Sequence, residues 1–266
     1  MANTIFLKEI NLFKKLFFFI PYYTLHRNIL FGYLFKKFIK RFTYTFLKKK
    51  LIFYIPGNLE TAFYSSFLTK TYEINDYFII KKYLKPNFKP IIIGGGIGFI
   101  ATIVSKIVKK KISIFEIDTN IIPYLKKNLL KNKVEFLIYE KPFFFNTKPK
   151  IFSFNKSINF ISTSLYKNTN KIDINATKLN KPISYNELCK QNNIVYDTLI
   201  IDAEGYEYDM LIDLSNQSNI KHIFFELHAS ILKKKKTLFL LNYLKKMKFI
   251  QIGKFFNSYY FSKIKN

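Results

Sequence analysis

A glycine-rich turn and a single acidic residue are the first features of this sequence that could bind a ligand. The run Pro90–Gly98 (PIIIGGGIG) is a short apolar strand signal that ends in glycines, and a helical pattern follows it. A second apolar run ends at Glu116, 18 residues after Gly98. Glycines let a ligand approach the backbone closely, and an acid at the end of the second strand can accept hydrogen bonds from a ribose. The spacing therefore predicts a nucleoside-cofactor site at Gly94, Gly96, Gly98 and Glu116.

Two later apolar runs also end in polar side chains. The run 198–202 ends in Asp202, with Glu204 just beyond it, and the run 222–228 contains Glu226 and ends in His228. Because ligands of open α/β sheets bind at the carboxyl edge, these four residues are predicted to form a reactive site there. Three alternatives stay open: His228 as a strand-capping polar residue, Glu204 as an acid favoured at a helix start, and the cluster as a divalent-cation site.

The charge balance of the chain is strongly basic. It has 44 basic and 17 acidic residues among 266, a formal net charge of +27. Such a charge favours an anionic partner, a membrane surface or nucleic acid. An AT-rich genome would also enrich lysine together with asparagine, isoleucine, phenylalanine and tyrosine, so both explanations remain.

The cysteine count and the apolar runs indicate the compartment. Cys189 is the only cysteine, which excludes an internal disulfide and a cysteine-rich metal site. The apolar run 16–20 is short for a secretory signal, and no run is long enough for a transmembrane helix. We therefore expect a cytoplasmic protein, with a peripheral membrane association through its N-terminal region as an option.

Residues 1–50 have a character of their own and are predicted to be a basic, aromatic-rich helical extension. Aromatic and aliphatic residues recur at helical spacing before Pro21 and again from Phe31 to Phe42, with lysines between them. Two such amphipathic helices would either lie on an anionic membrane surface or pack on the rest of the protein.

Alternating strand and helix signals over residues 51–266 predict an α/β fold. Five strand signals separated by helical patterns predict a parallel sheet with right-handed crossovers, and the runs 249–252 and 259–262 predict a β-hairpin. The expected architecture is the mostly parallel seven-stranded sheet of a Rossmann-like class I methyltransferase. Residues 141–196 interrupt the alternation and are predicted to be a mostly β insertion that shapes a substrate pocket and ends in a short helix.

From about Ile55 onwards the chain resembles the FkbM-type S-adenosylmethionine-dependent methyltransferases. The resemblance rests on Tyr72-Glu73, on the glycine loop with Glu116, on the run 202–207 (DAEGYE), and on the run 225–228 (FELH). It implies a class I fold, S-adenosylmethionine as cofactor, and O-methylation of a hydroxyl in a sugar, glycan or glycolipid-type acceptor. The chain departs from the family pattern at Ile92, where an acid is common, and at Ile200, where a lysine is common.

Within this resemblance the four strand-end residues take catalytic roles. Methyl transfer to a hydroxyl requires alignment of the reacting atoms and removal of the hydroxyl proton. Asp202 or His228 is the expected general base, and Glu204 and Glu226 are expected to orient substrate hydroxyls.

Other classes of methyltransferase require motifs that this chain lacks. The chain has no Pro-Pro motif for base methylation and no recognisable Lys-Asp-Lys-Glu set for RNA ribose methylation, so nucleic acid is predicted to be an unlikely partner. The alternative functions are a catalytically inactive, membrane-surface scaffold and an RNA methyltransferase.

Overall fold

The computed structural model describes residues 40–57, 63–64, 66–67, 70–146, 153–154, 177–178, 181–203, 205–216 and 219–264. The predicted helices of residues 1–39 lie outside this part of the chain. The strands are β1 Arg41–Phe46, β2 Lys49–Tyr54, β3 Pro90–Ile93, β4 Ile112–Phe115, β5 Phe136–Tyr139, β6 Phe143–Phe144, β7 Ser153–Phe154, β8 Thr177–Lys178, β9 Ile183–Ser184, β10 Thr198–Ile201, β11 His222–Glu226, β12 Phe249–Phe255 and β13 Ser258–Lys263. The helices are α1 Ile74–Tyr83, α2 Phe99–Val108, α3 Ile122–Lys131, α4 Tyr185–Asn192, α5 Glu207–Ile212 and α6 Ala229–Lys246, with a 3₁₀ turn at Asp213–Asn216.

Seven strands form the central sheet, in the order β12-β13-β11-β10-β3-β4-β5. The strands β11, β10, β3, β4 and β5 are parallel, whereas β13 is antiparallel to both β11 and β12. The order reverses between β3 and β10, so their carboxyl ends flank the crevice in which such sheets bind ligands. The predicted sheet of a Rossmann-like class I methyltransferase, with its C-terminal hairpin, is confirmed.

The sheet is buried on both faces, which explains its near-continuous apolar strands. On one face Ile92, Ile114, Ile200 and Phe224 pack with residues of α1, α2, α3 and the β1–β2 hairpin. On the other face the alternate strand residues pack with α4, α5 and α6. The strand residues on this second face include Ile91, Ile93, Leu199, Ile201, Ile223 and Phe225. Two packed layers around one sheet hold the strand ends, and hence the site, in a fixed arrangement.

The hairpin of β1 and β2 corrects the predicted helical extension. Residues 41–46 are a strand paired with β2, and Phe42 lies opposite Phe53. Phe42 and Phe46 are buried while Thr43 and Thr45 between them are exposed. This alternation with a period of two is the strand signal in RFTYTF. The helix prediction arose because the residues from Phe31 to Phe42 also recur at helical spacing. The hairpin spans residue 50, which was the predicted boundary between the extension and the α/β domain. Its buried side chains belong to the core on one face of the central sheet, so the hairpin packs as part of the α/β unit.

The predicted insertion is described at its two ends. The short helix expected near 185–191 is present as α4, which begins with a capping box between Ser184 and Glu187. Directly before this helix, β9 pairs in parallel with β6. The strands β7 and β8 pair antiparallel. The role of this segment in shaping a pocket stays a prediction, because most of residues 147–180 lie outside the described part. Among the described residues, no helix has both the length and the apolar character to span a membrane.

Asn128 on α3 holds the hairpin to the sheet layer, and we expect Asn128→Ala to destabilise the protein. Its side chain is fully buried, accepts a hydrogen bond from Tyr54 N at 2.6 Å, and donates to the carbonyls of Tyr54 and Ile97 at 3.0 and 2.8 Å. Removal of the Asn128 amide leaves three backbone groups without their hydrogen-bond partner, so the free energy of unfolding should fall by about 1–3 kcal/mol. Urea unfolding measures it, with exposed Lys131→Ala as the control on the same helix. Equal stability of the two variants would contradict this role.

Candidate active site

The glycine loop between β3 and α2 has the backbone conformation that its sequence predicts. Gly94, Gly96 and Gly98 all have positive φ, at 86°, 49° and 87°. A Cβ on Gly94 would lie 1.8 Å from the carbonyl oxygen of Asp202, so only glycine allows β3 and β10 to approach at their ends. A Cβ on Gly96 would have no neighbour closer than 3.5 Å, where it meets Glu73 Oε1 and the Tyr72 hydroxyl. The loop is therefore packed tightly at Gly94, whereas a side chain at Gly96 would make only ordinary van der Waals contacts with Tyr72 and Glu73.

Glu116 lies beside this loop but uses its carboxylate differently from the prediction. Its Oε2 accepts hydrogen bonds from Gly95 N at 3.1 Å and Gly96 N at 2.9 Å. Its Oε1 accepts from Ile117 N at 2.8 Å and Asp118 N at 2.9 Å. A carboxylate has about four lone-pair sites, and the backbone occupies all of them. In this structure Glu116 holds the glycine loop against the end of β4 rather than presenting a free acceptor to a ribose.

His228 is oriented by a carboxylate outside the predicted catalytic set. Glu207, which is fully buried at the start of α5, accepts a hydrogen bond from His228 N at 3.0 Å, and its Oε1 lies 3.3 Å from His228 Nδ1. The other carboxylate oxygen accepts from Gly205 N at 2.7 Å. A carboxylate can only accept, so Nδ1 carries the proton and Nε2 is the basic nitrogen. Nε2 lies 3.7 Å from Asp202 Oδ1, which places the basic nitrogen at the carboxyl edge of β10.

Glu226, at the end of β11, is positioned by the turn of the C-terminal hairpin. Asn257 Nδ2 donates a hydrogen bond to Glu226 Oε1, and Asn75 Nδ2 donates in turn to Asn257 Oδ1 at 2.9 Å. One ligand atom each from Asp202, Glu226 and His228 lies within 4.8 Å of the others. These three could together hold a divalent cation, so the metal alternative stays open.

Two more carboxylates, Glu73 and Asp76, face the same edge from α1 and the residue before it. They line a cavity of about 20 Å³ together with Asp202, Gly94 and an apolar floor that includes Ile92, Ile200 and Phe224. Burial, assisted by the negative charge of Glu226, raises the pKa of Glu73 to about 7. The same two causes raise the pKa of Asp76 well above its usual range. Glu73 also has a left-handed backbone, with φ 47°, which is uncommon for a residue other than glycine and clusters at functional sites.

The structure brings most of the sequence-predicted residues to one place. Gly94, Asp202, Glu226 and His228 meet at the carboxyl edge, whereas Glu204 lies outside the described residues. Sequence reasoning did not assign functions to Glu207, Glu73 or Asp76. Glu207 and Glu73 belong to runs on which the family resemblance rests, and this resemblance was the signal that could have identified them. Asp76 had none, because its role depends on how α1 packs against β11.

Comparison with known proteins gives a likeness in fold. No protein-family model matches the chain, and no curated protein matches it either. Among solved structures it is similar to a precorrin-6y C5,15-methyltransferase from Geobacter metallireducens (10% identity, TM-score 0.41, 70% of this chain and 84% of that one). It is also similar to the METTL16 MTase domain (12% identity, TM-score 0.44, 89% of this chain and 79% of that one). A third similar structure is a proposed RNA methyltransferase from Pyrococcus horikoshii (12% identity, TM-score 0.41, 71% of this chain and 82% of that one). At these identities and TM-scores the fold assignment rests on the strand order, and the FkbM resemblance remains a resemblance.

One prediction is corrected by this comparison. Nucleic acid was predicted to be an unlikely partner because the chain lacks a Lys-Asp-Lys-Glu set. That prediction is wrong, since a proposed RNA methyltransferase and a ribosomal protein L11 methylase are among the solved structures similar to this chain. A missing motif of one RNA methyltransferase class therefore excludes neither a nucleic-acid nor a protein acceptor.

The four hydrogen bonds of Glu116 predict a structural effect that needs no ligand. Glu116→Gln replaces one acceptor oxygen by an amide NH₂ group, so two of the four backbone N–H groups lose their acceptor. The free energy of unfolding should fall by about 1–3 kcal/mol. Urea unfolding of the ligand-free protein measures this change. Glu135→Gln, an exposed glutamate before β5, is the control. Wild-type stability of Glu116→Gln would show that the carboxylate does not hold the loop.

The raised pKa of Glu73 predicts a pH-dependent stability. Between its ordinary pKa of about 4.5 and its folded pKa of about 7, the folded protein binds the proton more strongly than the unfolded chain. The contribution of Glu73 to stability is therefore lost as pH rises through this window, by at most about 1.4 kcal/mol per pH unit for one proton. Glu73→Gln should gain stability relative to wild type from pH 5 to pH 8 in thermal unfolding. The acids Asp76, Asp202 and Glu226 remain in both proteins, so parallel profiles would contradict the assignment.

Proposed function

We propose that this protein is an S-adenosylmethionine-dependent methyltransferase that methylates a hydroxyl oxygen. The observation that carries the proposal is the pairing of Glu207 with His228 at the carboxyl edge, beside Asp202, whose backbone packs against Gly94 of the glycine loop. This pairing leaves a basic imidazole nitrogen beside the place where sheets of this order bind ligands. The strand order and the FkbM resemblance support the same conclusion.

The residues around the loop fit the proposed cofactor. S-adenosylmethionine supplies, when bound, a methyl group on a positively charged sulfur. The cavity lined by the carboxyl groups of Glu73, Asp76 and Asp202 suits a positively charged group. The Tyr72 hydroxyl, on a side chain only 6% exposed, lies beside the Glu73 carboxyl group, which is its hydrogen-bond acceptor.

The two departures from the family pattern are neighbours in the structure. Ile92 on β3 is the register partner of Ile200 on β10, and both are buried on the same face. An acid at one position and a lysine at the other would face each other, and exchange of such a buried pair for apolar residues is often neutral. Glu73 and Asp76 line the same cavity and supply acidic groups there. The departures therefore do not favour the alternative of an inactive scaffold.

The proton of the acceptor hydroxyl passes to His228 Nε2 in the proposed reaction. Glu207 keeps the other ring nitrogen protonated and stabilises the positive charge that the ring acquires. Asp202 lies on the side of the ring opposite Glu207, with its Oδ1 3.7 Å from Nε2, and adds a second negative charge. Glu226, fixed by Asn257, is placed to accept a hydrogen bond from the acceptor.

The acceptor group that we propose is a sugar hydroxyl, which occurs both in glycans and in the ribose of RNA. The FkbM resemblance supports a sugar hydroxyl. The net charge of +27 favours an acceptor attached to a polyanion. Methyl-labelled S-adenosylmethionine offered with total RNA or with extracted glycans from the same cells separates the two sources, because ribonuclease removes only the RNA signal.

Two variants test the catalytic assignment. His228→Ala and Glu207→Gln should each lower turnover by about 10²–10⁴-fold while cofactor affinity changes little. Calorimetry measures the affinity and transfer of labelled methyl measures the turnover, with exposed Asp209→Asn on α5 as the control. Near wild-type turnover of both variants would show that His228 is not the base. Loss of activity with a chelator and recovery with Mg²⁺ or Mn²⁺ would instead make His228 a metal ligand.

A further inference from the structure

We infer that three neighbouring aromatic side chains form a surface that binds single-stranded RNA beside the active site. The side chains are Phe78 on α1, Phe255 at the end of β12, and Phe256 in the turn between β12 and β13. This inference rests on the proposed function and deepens it, because it names RNA rather than a glycan as the source of the acceptor hydroxyl.

The three rings form a continuous and mostly exposed row. Phe78 and Phe256 are 44% and 64% exposed, and Phe255, which contacts both rings, is half-buried. The ring centroids of Phe78 and Phe255 are 5.0 Å apart, and those of Phe255 and Phe256 are 5.1 Å apart. Single exposed apolar residues are ordinary, but a contiguous patch beside a candidate site indicates an interaction surface.

Neither the turn nor the core accounts for a phenylalanine at position 256. A two-residue turn joins β12 to β13, and its first residue, Phe256, has φ 52°. Glycine and asparagine adopt this left-handed conformation more readily than an aromatic residue does. The exposed ring also forgoes most of the stabilisation that burial would supply. A ligand that covers the ring would account for phenylalanine at this position.

The hairpin turn holds the aromatic row against the active site. Asn257, the residue after Phe256, donates a hydrogen bond from its side chain to Glu226. Its carbonyl oxygen accepts a hydrogen bond from Leu227 N at 2.8 Å, directly before His228 in the chain. A nucleotide whose base stacks on the row would therefore place a ribose close to His228.

Lysines border the aromatic row and supply the charge that RNA requires. Lys81 and Lys82 follow Phe78 by three and four residues on α1, so they lie on the same side of this helix. Both are exposed, and neither forms an ion pair with a carboxylate of the described residues. Asp76 on the same helix is buried, and its raised pKa reduces the negative charge that would repel a phosphate.

Single-stranded RNA matches the rings, the lysines and the neighbouring basic nitrogen at once. Its bases stack on aromatic rings whatever their sequence, its phosphates attract lysines, and its ribose carries a hydroxyl group. A neutral glycan could contact the rings but would leave the lysines without a partner. A phospholipid surface would leave His228 without a hydroxyl. The observations therefore favour RNA over both.

Fluorescence anisotropy with a labelled single-stranded RNA of about 10 nucleotides tests this inference without any cofactor. An abasic chain of the same length keeps the ribose and phosphate groups but lacks the bases. The wild type should bind the RNA at least about tenfold more tightly than the abasic chain. Phe256→Gly and Phe78→Ala should each reduce this preference at least about threefold, because each removes a stacking ring, and should leave the affinity for the abasic chain unchanged.

Leu47→Gly is the matched control for Phe256→Gly. Leu47 is 62% exposed, has φ 47° in the turn between β1 and β2, and precedes three lysines, but it has no ring. Both glycine variants suit the left-handed backbone, so both should keep or raise the thermal unfolding temperature. Only Phe256→Gly should lose the preference for bases. Phe256→Asn replaces Phe256→Gly if the glycine variant is not folded.

The lysines are tested by the double variant Lys81→Gln with Lys82→Gln. It should weaken binding of the RNA and of the abasic chain by the same factor, because both ligands carry the same phosphates. The slope of log affinity against log salt concentration should become shallower by about 0.7 for each phosphate contact that is lost. An unchanged slope would remove these lysines from the surface.

Two results of the RNA titration would overturn the inference. They are equal binding of RNA and the abasic chain by the wild type, and a full preference for RNA in both phenylalanine variants. Heparin and phosphatidylserine vesicles are titrated in parallel. If Phe256→Gly lost binding to one of these and kept its binding to RNA, the surface would belong to a glycan or a membrane instead, and the inference would be wrong.

Failure of the proposed function is measured separately, by calorimetry with S-adenosylmethionine and by transfer of labelled methyl. Methyl transfer to glycans without binding of RNA would overturn this inference and leave the methyltransferase proposal standing. Absence of S-adenosylmethionine binding at millimolar concentration would remove the methyltransferase proposal, whatever the RNA titration shows.

Discussion

The carboxylate of Glu116 ties together the two strand ends on which the candidate site is built. It accepts hydrogen bonds from the loop after β3 and from the turn after β4. Because these four N–H groups have no strand partner there, an apolar residue at 116 would leave them unsatisfied in a buried place. Burial raises the pKa of Glu116, whereas the backbone hydrogen bonds act in the opposite direction. The loop conformation depends on this balance.

The glycine loop is constrained from the other side by Asp202. The carbonyl oxygen of Asp202 occupies the space that a side chain at Gly94 would need, and Asp202 N donates to Ile93 O at 2.9 Å. The end of β10 therefore cannot move without the loop. This explains how residues from four separate segments, Glu73, Gly94, Asp202 and Glu226, share one small cavity or its rim. A ligand in the crevice would contact a surface that is already held in place.

The charge pattern of the site is opposite to that of the chain. Lysines are common on the exposed helix faces, as in Lys234–Lys236 of α6, while the carboxyl edge gathers carboxylates. The wide excess of lysine is consistent with either codon bias or an anionic partner. The local excess of carboxylate has neither explanation, since glutamate and aspartate are scarce in this chain. The raised pKa of Glu73 shows what it costs to bury these acids close together.

The sequence alone determined the sheet, the glycine loop and the strand-end acids, because apolar runs, glycine spacing and turn residues act over short distances. Continuous apolar runs identified β10 and β11, whereas the alternation of RFTYTF in β1 was read as part of a helix. Only the tertiary structure decided what the polar groups do. Glu116 is saturated by backbone N–H groups, Glu207 rather than Asp202 orients the Nδ1 of His228, and Asp76 approaches Glu226 only through the packing of α1. Hydrogen-bond partners and desolvation depend on which segments meet in space, and no spacing within one segment encodes that.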